Sequence, residues 1–214
     1  MKNKKLTFTQ KDFLKEIGNI AGGNATTAMS SLINERIMMD IPTVKMMTIN
    51  ELMDDIGGPE KLVVTNFFRI SGEIPGTVYF VLTIEEAEYL VKKMTMDETI
   101  KLFDNEDDLE PNEMAISVLE EISNIITGSY LSAISDFTNI KMIASVPYLS
   151  IDMAAATLVT GLIELSNVSD YAITIESSLA DGTGKGMTSG QFLLIPDPPS
   201  IPKLFRALGI EENE

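Results

Sequence analysis

The chain contains no cysteine, no histidine and no tryptophan. Without cysteine there is no thiolate nucleophile and no disulfide scaffold; without histidine there is no imidazole base, and the usual zinc ligand set is gone. Positive charge is scarce: 16 Lys and Arg face 32 Asp and Glu, for a formal charge of -16. That balance argues against a nucleic-acid or anionic-membrane surface. Long apolar runs are also missing. The richest stretch, Ala154 to Leu165, is too short to span a bilayer. The opening MKNKKLTFTQ is basic like a signal peptide, but Thr7, Thr9 and Gln10 interrupt any apolar segment. These features predict a soluble cytoplasmic protein with no membrane insertion. Across 214 residues, 44% are hydrophobic and 22% charged, enough to bury a core. The chemistry left to it comes from carboxylates, hydroxyls, amides, lysine or a partner.

The first element is a long amphipathic helix. Thr9-x-x-Asp12 has the form of a capping box, with Phe8 and Phe13 at the staple positions. Phe13, Leu14, Ile17, Ile20, Ala21, Ala25, Met29, Leu32 and Ile33 then recur at spacings of three and four, to about Glu35. Gly22 and Gly23 lie inside this helix, and close packing on a sheet is the expected reason for their missing side chains. Strand segments follow near Val44 to Ile49 and Lys61 to Ile70, and a Gly72 to Gly76 turn leads into a strand from Thr77 to Leu82. Thr83 caps a helix to about Met94, and the acidic run Asp104 to Glu110 forms a linker, with Pro111 at the first position of the next helix. Further on, Ser150 to Leu165 reads as a helix with Asp152 near its start. Strands from Tyr171 to Ser177 and Gly190 to Ile195 flank a glycine-rich loop, and a short helix runs from Ser200 to Leu208.

The second half repeats the first. Glu16-Ile17-Gly18-Asn19-Ile20 aligns with Glu121-Ile122-Ser123-Asn124-Ile125, and the same shift pairs Gly23 with Gly128, Asn34 with Asn139 and Pro42 with Pro147. Gly76 to Val81 matches Gly190 to Ile195 at a longer shift, so the halves differ by an insertion. The predicted fold is therefore α+β: a pseudo-twofold duplicated unit with two long amphipathic helices packed on a shared, largely antiparallel β-sheet. The chain forms a single domain of two homologous halves, about 8–103 and 111–209, joined by the acidic linker 104–110.

Three features have ordinary explanations. The run Gly182 to Thr188 lacks the spacing of a phosphate loop and precedes a strand rather than a helix, so it reads as a hairpin loop. Asp104 to Glu110 has neither the spacing nor the central glycine of a calcium loop. The 13 methionines fall mostly at apolar-periodic positions and read as core filler.

One polar constellation resists such a reading. Asp12, Glu16 and Asn19 form a single stripe on the helix face away from Leu14, Ile17 and Ala21, and Ser117, Glu121 and Asn124 repeat it. A solvated face explains any single glutamate. A mid-helix asparagine lowers helix propensity, and duplication does not require exposed polar positions to persist in both copies.

The pattern Asp/Ser-x3-Glu-x2-Asn-x22-Pro, present as Asp12-Glu16-Asn19-Pro42 and as Ser117-Glu121-Asn124-Pro147, resembles the signature of the CheC, CheX and FliY phosphatase family of bacterial chemotaxis. The resemblance runs from Phe8 to Gly209. Two motif copies without a further flagellar-switch domain resemble its CheC-type members most, since CheX carries one copy. The resemblance implies a phosphatase acting on the aspartyl phosphate of the response regulator CheY. It assigns Asn19 and Asn124 to orienting the attacking water, and Glu16 and Glu121 to pairing with the regulator's lysine. Asp12 and Ser117 support docking at the contact edge, and Pro42 and Pro147 shape the returning chain. No cofactor belongs to the chain itself, and Mg2+ is expected in the partner regulator. Leu149 to Met153 also resembles the segment on which CheD docks, which makes Asp152 a candidate CheD contact.

Two rival readings stand beside this one. The chain is alternatively a non-catalytic or weakly catalytic chemotaxis adaptor that binds CheD, phosphorylated CheY or both. An unrelated carboxylate hydrolase acting on small molecules fits poorly, because the paired residues lie on a convex helix face where no pocket is implied.

Overall fold

The computed structural model describes residues 7–40, 42–103, 110–163, 171–181, 188–197 and 199–207. The glycine-rich hairpin loop and nearly all of the acidic linker lie outside them. In chain order the elements are α1 (Phe8–Ile33), β1 (Ile37–Met39), β2 (Thr43–Thr48), α2 (Ile49–Ile56), β3 (Leu62–Gly72), β4 (Gly76–Thr83) and α3 (Ile84–Thr95). The second half supplies α4 (Glu113–Thr138), β5 (Met142–Ala144), β6 (Tyr148–Met153), α5 (Ala154–Ile163), β7 (Tyr171–Asp181), β8 (Thr188–Pro196) and α6 (Ser200–Ala207).

Side-chain alternation along the central strands builds two cores. Val78, Phe80 and Leu82 of β4 and Phe192 and Leu194 of β8 point into the larger one, under α1, α3, α4 and α6. Their neighbours Tyr79, Val81, Leu193 and Ile195 point the other way, against Leu52 and Ile56 of α2 and Ala154 and Leu158 of α5. The sheet is thus buried on both faces, which is why β4 reads as an unbroken apolar run. Tyr130 of α4 stacks on Phe192 with ring centroids 4.2 Å apart, fixing the helix layer on the sheet.

Eight strands form one sheet in the order β1-β7-β8-β4-β3-β5, with β2 also on β7 and β6 also on β3. Every pairing is antiparallel. In the Gly76–Gly190 correspondence Tyr79 and Leu193 are equivalent, and these two residues pair directly across β4 and β8. The pseudo-dyad therefore passes between them. The halves interlace, because β1 and β2 of the first pair with β7 of the second, while β5 and β6 of the second pair with β3 of the first.

Several boundaries differ from the sequence expectation. The capping box of α1 is Thr7 with Gln10, not Thr9 with Asp12: Gln10 Oε1 accepts from the Thr7 amide at 2.7 Å. The helix starts earlier, and Phe8 is left 81% exposed rather than stapled to Phe13. In α4 the N-cap is Asn112, whose Oδ1 accepts from the amides of Met114 and Ala115, so Pro111 lies one residue outside the helix. The segment from Ser150 is strand until Met153, because β6 docks on β3 with Leu149 and Ile151 turned to the core. Asp152 is thereby on a sheet-edge strand, not at a helix start. The methionines are less uniformly internal than expected. Met29 and Met142 are buried, whereas Met38, Met96, Met114 and Met153 are exposed.

Candidate functional site

Helix α1 buries Leu14, Ile17, Gly18, Ala21, Gly22, Ala25 and Met29, which leaves Asp12, Glu16 and Asn19 on the opposite, solvent-facing side. Helix α4 does the same with Ala115, Leu119, Ile122, Ser123 and Ile126 inside and Ser117, Glu121 and Asn124 outside. Phe13, near the start of α1, meets Phe137, near the end of α4, edge to face at 6.0 Å. The helices therefore lie antiparallel, and the two stripes run in opposite directions on one convex layer.

Several helical hydroxyls are engaged locally: Thr26, Thr27, Ser123 and Ser129 donate to carbonyls three or four residues back. The side chains of Glu16, Asn19, Glu121 and Asn124 make no hydrogen bond or ion pair among the described residues. Each helix thus presents an unengaged carboxylate with an unengaged amide three residues on, and Asp12 of the α1 stripe is likewise unengaged among the described residues. An amide offers two donors and an acceptor that can hold a water, and a carboxylate offers a mate for a cation. Neither is a strong base or nucleophile, and all four side chains are exposed.

Pro42 is buried, so it is not part of the exposed surface. Its ring lies on α1 where Gly18 leaves room: a Cβ on Gly18 would stand 2.5 Å from Pro42 Cγ. Gly22 similarly accommodates Met39 of β1, which bears out the packing explanation at that position. At Gly23 it fails, since a Cβ there would meet nothing within 4 Å. Ile126 and Thr127, which take the place of Ala21 and Gly22 in α4, are buried and leave the Asn124 surface unobstructed. Pro147 is partly buried ahead of β6. Asp152 is exposed on that strand, and Val146, Tyr148 and Met153 are exposed along the same segment. Local spacing marks this segment only through the resemblance of Leu149 to Met153, because the exposed edge depends on how β6 pairs with β3.

Among the described residues no three carboxylates converge to hold a metal ion, and no helix is long and apolar enough to cross a membrane. An open cleft of about 570 Å³ lies elsewhere, lined by Glu73, Ile140, Lys203 and Arg206 among others. On the opposite side of the sheet, Lys45 of β2 bridges Asp55 and Glu176 at 3.4 Å each. Burial disfavours its charge, but the two carboxylates outweigh that and raise its pKa above the ordinary lysine value. Glu51 closes the cap of α2 by accepting from the Thr48 amide and hydroxyl, and these bonds hold its carboxyl below the usual range.

A duplicated helix layer bearing two exposed carboxylate–amide pairs over a closed core defines a two-halved α+β protein with a repeated polar site on its surface. The chain belongs to the CheC-like family, whose model matches residues 10–46 and 114–151, the spans that carry both stripes and both prolines. It is 36% identical to the CheY-P phosphatase CheC of Bacillus subtilis over 94% of each chain. In fold it is similar to FliY of Thermotoga maritima, with a TM-score of 0.74 at 20% identity, covering 95% of this chain and 98% of that one. It is likewise similar to a FliM chain solved in the H. pylori FliM-SpeE complex, with a TM-score of 0.65 at 15% identity over 95% and 96% of the two chains.

Proposed function

We propose that this chain is a phosphatase of the phosphorylated response regulator CheY, with two sites, Glu16–Asn19 and Glu121–Asn124. The observation that carries the reading is the pair of unengaged, outward-facing carboxylate–amide stripes in a member of the CheC-like family. An aspartyl phosphate is already reactive towards water. Its hydrolysis needs a positioned water and a correctly seated partner more than it needs a strong base. In this reading the regulator supplies the phosphoryl group, its Mg2+ and a lysine. Glu16 or Glu121 pairs with that lysine and fixes the docking angle. The amide of Asn19 or Asn124 then enters the regulator's site and orients the attacking water through hydrogen bonds. Asp12 and Ser117, one turn earlier, border the contact. Pro42 acts from beneath, holding α1 in place through Gly18.

The test is timed phosphate release from the phosphorylated cognate regulator. Asn19→Ala and Asn124→Ala each remove one centre, and the double variant falls to the regulator's own rate while retaining its fold. Full activity in the double variant overturns the assignment.

A second role is favoured by the β6 edge. Val146, Tyr148 and Met153 are 83%, 64% and 51% exposed along the segment that carries Asp152, and among the described residues β6 pairs on one side only, with β3. This edge is the proposed docking surface for CheD. If CheD binds and turnover never rises with it or without it, the chain is an adaptor rather than an enzyme.

A further inference from the structure

Four glycines separate into two kinds by what surrounds them. Gly18 and Gly22 are glycine because Pro42 and Met39 occupy the space a side chain would take. In α4 the equivalent residues are Ser123 and Thr127, so the packed positions have not stayed glycine across the duplication. Gly23 and Gly128 are the reverse case. Both are exposed, neither has an atom within 4 Å of where a Cβ would be, and neither has a positive φ that would call for glycine. Each sits mid-helix, where alanine would be the more stable choice. These unpacked glycines are the ones present in both halves, and each is one turn beyond the asparagine on the same stripe, about 6 Å further along the axis.

We infer that Gly23 and Gly128 are clearance positions for the docked regulator: they let the surface around its aspartyl phosphate approach the helix backbone closely enough for the short Asn side chain to reach the water. This rests on the phosphatase reading above. Asparagine projects less far than glutamine or lysine, and with Glu16 or Glu121 already beside it on the N-terminal side, bulk added one turn beyond it holds the partner's surface back from the amide. The next residues along the stripes are also small, Thr27 and Ser132, and Thr27 turns its hydroxyl back onto the Gly23 carbonyl at 2.7 Å. Glycine is thus kept at a cost in helix stability for what it leaves open.

The experiment compares wild type with Gly23→Ala/Gly128→Ala and Gly23→Gln/Gly128→Gln. Thermal unfolding, steady-state dephosphorylation and binding of the beryllofluoride-loaded regulator are measured for each. The alanine pair raises Tm by about 2–4 °C per substitution, since nothing in the fold opposes it. The same pair lowers kcat/KM about tenfold through KM, with a parallel loss of binding, and the glutamine pair lowers it further. Asn19→Ala/Asn124→Ala serves as the contrast, losing kcat while binding persists. If wild type is active and the glycine variants match it, the clearance role is overturned and the phosphatase reading stands. If the variants lose Tm together with activity, the glycines serve folding and the inference is equally overturned. If wild type itself does not accelerate phosphate loss, both readings fall.

Discussion

Gly18→Ala tests whether the buried proline positions the first site. The added methyl would lie 2.5 Å from Pro42 Cγ, 3.1 Å from its Cβ and 3.5 Å from Ile175 Cγ2. The proline ring has no free end to swing aside, so either α1 or the segment before β2 moves by on the order of 1 Å to reach ordinary contact. Overpacking of this kind costs about 1–3 kcal/mol, and alanine in place of glycine returns roughly 1 kcal/mol of helix propensity. The net loss is about 0–2 kcal/mol, or up to roughly 8 °C in Tm for a domain this large. The effect on rate is larger, because Asn19 is the next residue and a shift of about 1 Å at a positioning group can cost on the order of a hundredfold. The assay is phosphate release in an Asn124→Ala background, where only the first site turns over. Ser123→Ala in an Asn19→Ala background is the control, since the equivalent position of α4 already carries a Cβ. An unchanged rate with a raised Tm in the Gly18 variant would show that Pro42 is not the buttress.

Other changes test other parts of the molecule. An amide does not titrate between about pH 6 and 9, so the phosphatase rate stays nearly flat there, and a bell-shaped profile centred near neutrality refutes an amide mechanism. Asp152→Lys abolishes CheD binding in a pull-down and leaves unassisted turnover unchanged; loss of both places the residue in the fold instead. Tyr130→Ala removes the buried ring stacked on Phe192 and lowers stability by about 3–5 kcal/mol, measured by denaturant unfolding. Hydrogen bonds from Thr48 hold the Glu51 carboxyl below the ordinary 4.5, so its stabilising contribution is complete above that value and is lost as pH falls through the lower folded one. Glu51→Gln therefore unfolds earlier than wild type near neutrality, and the difference closes in acid.

Legibility followed the range of the interaction. Helices α1, α3 and α4 were readable because a 3.6-residue apolar stripe is local, and the repeat exposed the two site stripes without any structure. Asn34 and Asn139, matched in the repeat, prove to be the left-handed C-caps of α1 and α4, at φ 54° and 53°. Their pairing thus carries a backbone requirement and no chemistry. Helix α2 went unread although Thr48 and Glu51 spell its capping box, because eight residues give too little periodicity to separate from strand. The three-residue strands β1 and β5 were invisible for the same reason. For β6 the alternation was present, but Ala154 and its neighbours extended the apolar run and the pattern read as helix; only pairing with β3, nearly ninety residues earlier, decides it.

The unengaged state of the site follows from the same economy. A helix inside a closed core spends its polar groups on caps and on hydroxyls folded back to carbonyls, as Thr26, Thr27 and Ser129 do here. Asn19 and Asn124 do neither, although a mid-helix asparagine lowers propensity and returns nothing to the isolated chain. The exposed glycine one turn on adds a second local penalty on the same face. Such departures from local preference are expected where a chain serves something other than its own stability. Here they coincide twice, in halves that elsewhere have exchanged Gly18 for Ser123 and Gly22 for Thr127. Packing explains the residues that differ between the halves. What packing leaves unexplained is the set that stays the same, Glu, Asn and exposed Gly, and a partner's surface is the one environment in which all three gain from their position.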